Sequence, residues 1–564
     1  MNPTAVSNSQ ANANPATFPL LWTLGLSGHR RLPDETAARA ALREEIAKLV
    51  SEAALRRARL TAVSSIALGA DLVFAEECLA AGLPWKCMLP FPKEEFRKDD
   101  FTDADWARAE ACLAKAYRVE VTSAGNPPDA EARNVAYLDC GHRMVEAADV
   151  LLLLWNGKPA AGKGGTGDLW DYTRTLSKPI WHFNTETGEV RRAGWPGEGE
   201  WKKRAIFKSR VTPLILDAQS HPVVAKNDAP PPDHTPPSSP TLEALCGLYA
   251  RLDEVALTKQ GDAHTLMKRV LVAHLLATSA AALSVTVVAN GSWHALHGMA
   301  FLAVIAALTF SLLVIAKPVL AVLAMRWERQ LHRLKSHEYW MESRVAAELC
   351  RSAIVSWRFP TAPLRLFEEE DFPHFKRLVR TLRLAREADT SPSAALDESA
   401  AIAHYQTNRI DAQFEYFEKK HKAAQTEHDG WQRKFSIATW FVIVVGGIVG
   451  IVEACEASFS IGHIAGAGHA GVTAQALHMI ESTIACLLII APFYASYALA
   501  MLAVRDCRRR VDRFRTMMTF LGRQKLRLDR VKSTASRIAV IENTERMLLE
   551  ELHEWYSVMK AVRV

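Results

Sequence analysis

Two patterns of apolar residues divide the chain. In the first two hundred or so residues the apolar runs are short, at 20–27, 60–68, 85–89, 150–155 and 179–183, and each stops at a glycine, proline or asparagine cluster. The run at 150–155, VLLLLW, has no polar position at all, the pattern of a strand buried on both faces. Between these runs lie stretches with alanine and charge at helical spacing, over 34–58, from 71 through Cys78, and from Asp168 onward. Strands separated by helices predict an α/β, Rossmann-like domain with a doubly wound parallel sheet.

Beyond residue 242 helical periodicity resumes and the apolar runs lengthen. Residues 270–289 and 298–316 form one pair of runs without an ionised side chain, and 435–452 and 482–504 form a second. Each is long enough to cross a hydrocarbon core of about 30 Å as a helix. Lys268, Arg269, Arg326, Arg329, Arg333, Arg433, Lys434, Arg505, Arg508, Arg509 and Arg510 flank one side of that topology, while 290–297 and 453–481 contain no lysine or arginine. The asymmetry predicts an all-α inner-membrane domain of four transmembrane helices in two hairpins, with both termini cytoplasmic.

The domain order expected from these shifts starts with a disordered lead over 1–18, which lacks the basic start of a signal peptide. An α/β domain follows over 19–216, then a proline-rich extended spacer over 217–241. A first two-span unit covers 242–385, a linker 386–402, and a second two-span unit 403–564. The bulk figures, 49% hydrophobic with a net charge of +6, resemble a soluble enzyme only because they average these halves. The nine cysteines show no CxxC pair or metal-ligand spacing, which fits a reducing compartment and offers no metal site.

Three loops carry candidate chemistry: Gly25-Leu-Ser-Gly-His-Arg30, residues 64–71 around Gly69-Ala-Asp71, and Gly162-Lys-Gly-Gly-Thr-Gly-Asp168. All follow strands, and ligands of such sheets sit outside the carboxyl ends of the strands. Glycines let the backbone approach a phosphate, and the unpaired N–H groups at a helix start point at it. Any one of these loops is equally a tight surface turn; three of them on one crevice make a binding site. Arg143 can pair with a phosphate or be a solvated helix cation, and His29 can be a loop hydrogen-bonder or a general base. Within the spans, Gly446 and Gly450 permit close helix packing, Pro492 predicts a kink, and His274 is expected to be a packed or hydrogen-bonded residue. Glu453 and Glu481, near the outer ends of the second hairpin, can ring a cation entrance or simply face water.

The motifs SGHR, ALGADLVFAEECLAAG, MLPFP, YLDCGHR before ADVLLLLWNG, and GKGGTGD occur in the order found in the SLOG superfamily, which this half resembles over about 170 residues. SLOG is the Rossmann-like fold shared by lonely-guy nucleotide phosphoribohydrolases and the DNA-processing protein A group. The resemblance implies binding of a nucleotide or an ADP-ribose-type signal. It implies as ligand-binding residues Gly25, Ser27, Gly28, His29 and Arg30, then Ser65, Gly69 and Asp71, then Arg143, and finally Gly164, Gly165, Thr166, Gly167 and Asp168. The hydrolase branch carries Pro-Gly-Gly-x-Gly-Thr-x-x-Glu; here Ala161, Lys163 and Leu169 replace the proline, the second glycine and the glutamate. Binding without turnover is therefore expected, with no catalytic residue, cofactor or metal assigned, and Asp168 is free to accept a ribose hydroxyl.

The stretch YQTNRIDAQFEYFEKKHKAAQ from Tyr405 and the closing IENTERMLLEELHEWY are similar to the SLATT family of two-helix membrane domains, and Leu248-Tyr-Ala-Arg-Leu-Asp-Glu254 marks a weaker first copy. That resemblance implies a pore-forming effector of bacterial conflict systems. Its expected partners are a nucleotide-derived messenger, the lipid bilayer and further copies of the chain, not nucleic acid. A membrane-tethered nucleotide hydrolase is the alternative.

Overall fold

The computed structural model describes residues 18–99, 101–123, 125–159, 164–194, 211–220, 239–289, 300–334, 336–357, 359, 375–389, 398–460, 472–504 and 506–561. The amino-terminal lead up to residue 17, most of the proline-rich spacer and the residue range 290–299 lie outside the described residues. Two compact units emerge. One draws on Met1–Asp253, Arg344–Asp397 and Glu545–Ser557, the other on Glu254–Ser343, Glu398–Thr544 and Val558–Val564.

The first unit is built on a seven-stranded sheet. Its elements run β1 (Leu20–Gly28), α1 (Glu35–Leu55), β2 (Ala58–Ser64), α2 (Ala70–Ala80), β3 (Trp85–Leu89), α3 (Lys93–Phe96), α4 (Asp103–Leu113), β4 (Arg118–Val121), α5 (Ala130–Ala147), β5 (Val150–Trp155), α6 (Thr166–Thr175), β6 (Ile180–Asn184) and β7 (Val190–Ala193). The spatial order is β4-β3-β2-β1-β5-β6-β7, parallel throughout except for the antiparallel β7. Chain order reverses between β1 and β5, so the crevice of such sheets falls there. The unbroken apolar run of β5 has a simple cause. Val150, Leu152 and Leu154 join the core on the side of α1 and α2, while Leu151, Leu153 and Trp155 join that beneath α5 and α6. Helix starts follow local chemistry: Asp34 accepts the Ala37 N–H at 2.9 Å and Asp129 that of Ala132 at 2.8 Å.

The sheet departs from expectation in three places. β4 and β7 were not read from the sequence, because RVEV and VRRA are short edge strands with no buried run. β2 ends at Ser64 rather than 68, since residues 65–69 turn out of the sheet. The helix α7 (Val211–Ser220) takes up the first residues assigned to the spacer.

The other described elements are helical: α8 (Pro240–Ala289), α9 (Ala300–Leu334), α10 (Ser336–Ser356), α11 (Lys376–Ala388), α12 (Glu398–Tyr405), α13 (Ala412–Ser460), α14 (Val472–Val504), α15 (Cys507–Arg530) and α16 (Thr534–Ala561), with a π-helical turn at Gln406–Asp411. Among the described residues, two helical stretches rather than four are long and apolar enough to cross a membrane, Ser399–Val452 and Leu487–Arg530. The runs at 270–289 and 300–316 are helical parts of α8 and α9. Glu453 and Glu481, expected in a loop, lie on α13 and α14, because the helices extend past the apolar runs. α14 continues through Pro492. Gly446 faces α14, where an added Cβ would meet Leu488 at 3.7 Å, and Gly450 faces open space.

α11 supplies an unforeseen part of the first unit. It lies across the amino-terminal ends of β1 and β5. The Leu21 N–H donates to Thr381 Oγ1 at 3.0 Å, and the Arg377 guanidinium sits 3.5 Å over the Trp22 ring. Arg377 also donates to both oxygens of Asp149, at 2.8 and 2.7 Å, and to the Leu21 carbonyl at 3.1 Å. Arg380 approaches the same carboxylate at 3.5 Å. Asp149 is buried, and the two guanidiniums together with the Thr23 N–H hold it well below the usual carboxylate range despite the opposing cost of burial. At the other end of α11, Asp389 accepts from Ser239 at 2.5 Å and from Trp357 Nε1 at 3.0 Å.

Asp149→Asn leaves two nearly buried guanidiniums without their counter-charge, a change that typically costs about 3–5 kcal/mol. Amide exchange of β1 and α11 in the full-length protein should accelerate about a hundredfold or more. In the parent this stabilisation is complete above the unfolded carboxylate value of about 4 and fades only as pH falls through the depressed folded value. Unchanged exchange at pH 7 would show that the contact contributes nothing.

Candidate functional site

The crevice forms where the loops after β1, β2 and β5 meet. The His29 N–H donates to the Leu154 carbonyl at 3.0 Å, and its own carbonyl accepts from Ala70 at 3.0 Å. Its ring Nε2 accepts the Asn156 N–H at 3.1 Å, which places the ring proton on Nδ1. His29 thus ties three loops together, and the lone pair a general base would use is already engaged. Gly69 has φ +76°, and a Cβ there would lie 2.5 Å from the carbonyl oxygens of His29 and Arg30. Only glycine allows this approach. Gly28 packs just as tightly on Ala70 and Leu154, whereas Gly25 lies lower in β1 against Ala148 and Met144.

The third loop enters α6. Gly164, at φ +81°, packs its backbone on Leu138 of α5, and its N–H donates to Asp168 Oδ2 at 2.9 Å. Asp168 therefore braces its own loop. Gly165 is the N-cap and offers no side chain to the helix, so the first-turn N–H groups of α6 open toward the end of β1. Ser27 and the buried Thr166 approach there at 3.3 Å between hydroxyl oxygens, with Gly167 buried beside them. Leu169, which stands where the hydrolase pattern has its glutamate, is buried against Gly141. Gly162 and Lys163 lie outside the described residues.

A charged wall closes the side next to β3. The exposed Arg30 guanidinium lies 5.2 Å from the Tyr137 ring and 3.7 Å from Asp99. Arg133 binds Glu95 at 2.9 Å and also Asp99, 4.3 Å above the Phe91 ring. Burial pushes the Asp71 carboxyl up to about 7, against the pull of Arg30 and a hydrogen bond from the Ala67 backbone. Buried oxygens of Ser65, Asp99 and Tyr137 have no hydrogen-bond partner among the described residues.

The structure therefore brings Ser27, Gly28, His29, Arg30, Ser65, Gly69, Asp71, Gly164, Gly165, Thr166, Gly167 and Asp168 to one edge of the sheet. Arg143 is not with them. A helix that precedes a parallel strand runs against it, so the last turns of α5 lie at the opposite edge, where the exposed Arg143 pairs with Asp139 at 3.0 Å. Tyr137, Asp99, Arg133 and Phe91 are the residues that sequence reading missed. The i, i+4 spacing of Arg133 and Tyr137 at the start of α5 was the available signal. No group of His, Cys, Asp or Glu among the described residues is arranged to hold a metal ion. No protein-family model matches the chain, and no curated protein matches it.

Asp71 gives a test by pH. The folded state keeps a proton that the unfolded chain loses near pH 4, so stability falls as pH rises from about 4 to 7. Asp71→Asn should flatten the thermal midpoint across that window and leave it highest, relative to the parent, above pH 7. Parallel pH profiles for the two proteins would assign the titration to another group.

Proposed function

We propose that the chain is a membrane-anchored receptor for a nucleotide-type messenger whose bound state opens or perturbs the inner membrane, as in bacterial anti-phage defence. The observation that carries this reading is the meeting of a glycine-lined β1 loop, the Gly69 turn and the uncapped start of α6 at the β1–β5 switch. Such a site takes a phosphate on backbone N–H groups, and the exposed Arg30 supplies a counter-charge. The resemblance to SLOG gives the ligand class, a nucleotide or ADP-ribose relative, and the resemblance to SLATT gives the effector. On this reading the two long apolar helical stretches, Ser399–Val452 and Leu487–Arg530, cross the membrane as one hairpin, both termini are cytoplasmic, and several copies assemble.

A sealed hairpin with few polar groups conducts only after rearrangement. Driving a closed state to an open one takes about 5.5 kcal/mol of differential binding, which several sites in one oligomer can share. A nucleotide hydrolase is the second reading. Asp71, half protonated near neutral pH, favours it, and the burial of Leu169 where that chemistry has its glutamate weighs against it.

Mass spectrometry of nucleotides retained by the purified protein should find an adenine-nucleotide or ADP-ribose-type ligand. Adding that compound should make protein-loaded liposomes leak with a steep dose response. Gly165→Glu, which places a carboxylate where the phosphate would sit, should abolish both binding and leakage with the fold intact. Turnover of the compound in sealed, non-leaking liposomes would decide for the hydrolase.

A further inference from the structure

The apolar hairpin of α13 and α14 ends in a collar of cations. On α13 the exposed Ile437 and Trp440, 63% and 64% accessible, are preceded at once by exposed Arg433 and Lys434. α14 stops at Val504, the chain turns through Asp506 in a left-handed conformation (φ 45°), and α15 opens with exposed Arg508 and Arg509. The antiparallel packing brings these basic segments to the same side of the apolar stretch. Arg510 meets Glu427 at 3.3 Å, and the Trp431 and Tyr497 rings meet edge to face at 5.8 Å.

Charge is not balanced there. Glu427 is engaged by Arg510, and Asp429 by Gln425 and His428 with the charge of Arg433 also acting on it. Asp506 and the exposed Asp512 are the other acids nearby. Among the described residues no carboxylate lies within ion-pair distance of Arg433, Lys434 or Arg508; Lys434 instead sits 4.0 Å from the Trp431 ring. At 1.5 Å per residue, Arg508 stands about 6 Å past the end of α14. A headgroup layer occupies roughly 5–8 Å on each side of the hydrocarbon.

We infer that this collar is a binding site for the phosphates of anionic phospholipids, framed by Trp431 and Tyr497. Zwitterionic lipids carry their own cation beside the phosphate and cannot neutralise the surplus positive charge of this cluster, in which Lys434 and Arg508 have no carboxylate partner among the described residues, whereas lipids of net negative charge can. The inference rests on the membrane reading of the hairpin and adds to it a choice of lipid. It also gives the left-handed break at Asp506 a consequence, because the break ends the apolar helix and starts the basic one within a single turn.

The full-length protein in neutral detergent, given equal amounts of phosphatidylglycerol and phosphatidylcholine, should retain phosphatidylglycerol about tenfold or more in excess by native mass spectrometry. Arg433→Gln, Lys434→Gln and Arg508→Gln together should bring the two lipids to parity. Arg433→Lys with Lys434→Arg, which keeps the charge, should preserve the preference and so separate loss of charge from loss of structure. Equal retention by the parent, or a preference that survives the triple neutral change, overturns the inference while leaving the membrane reading standing. A protein that stays monodisperse without detergent and retains neither lipid overturns both.

Discussion

Asp149 is the constraint on which the α/β unit hangs. Its backbone N–H donates to Thr23 at 2.7 Å, and its carboxylate accepts the Thr23 N–H at 2.8 Å, so one residue closes the amino-terminal gap between β1 and β5. That junction sets the pairing that runs from Leu24↔Val150 to Gly28↔Leu154. The same register delivers Ser27 and His29 to the crevice at the far end. Two guanidiniums from α11 compensate the buried carboxylate. Buried ion pairs seldom add much net stability over an apolar contact, since desolvation offsets the attraction. What this one specifies is position: a carboxylate with four donors around it tolerates only one seat for α11.

The sheet was largely legible because burial on both faces leaves a mark in composition. β5 has no polar residue, and β1 and β3 are nearly as apolar. β4 and β7 left no such mark, since an edge strand needs few buried side chains. α11 shows the limit most clearly. Leu378, Val379, Leu382 and Ala385 form an apolar face that predicts a helix, but nothing local says what covers it. Its partner Asp149 is 228 positions away, and a single sequence carries no record of such a pairing. The apolar runs after residue 242 show the converse case: their length is visible at once, yet hydropathy alone does not separate a span from a long helix.

At the crevice, backbone requirements were readable and side-chain convergence was not. Gly28, Gly69 and Gly164 each sit where a Cβ would strike a neighbouring backbone or side chain, and glycine after a strand signals that need. Arg143 and Arg133 are both arginines on α5, and sequence alone gives no reason to choose between them. The direction of the helix does. Its first turns face the carboxyl edge of the sheet, so Arg133 and Tyr137 reach the charged wall, and Arg143 lies near the end that leaves it.

Chain connectivity between the two units is not confined to the proline-rich stretch. Residues 344–397 and 545–557 belong to the α/β unit, although each follows a stretch of the other unit in sequence. The chain therefore passes between the units several times, and α8 and α16 each contribute residues to both. Asp389 binds Ser239 at the start of α8 and Trp357 just past the end of α10, so helices on either side of the first apolar pair are fastened to one carboxylate. Asp389 thus fixes the start of α8 and the residue that follows α10 to the end of α11, all within the α/β unit.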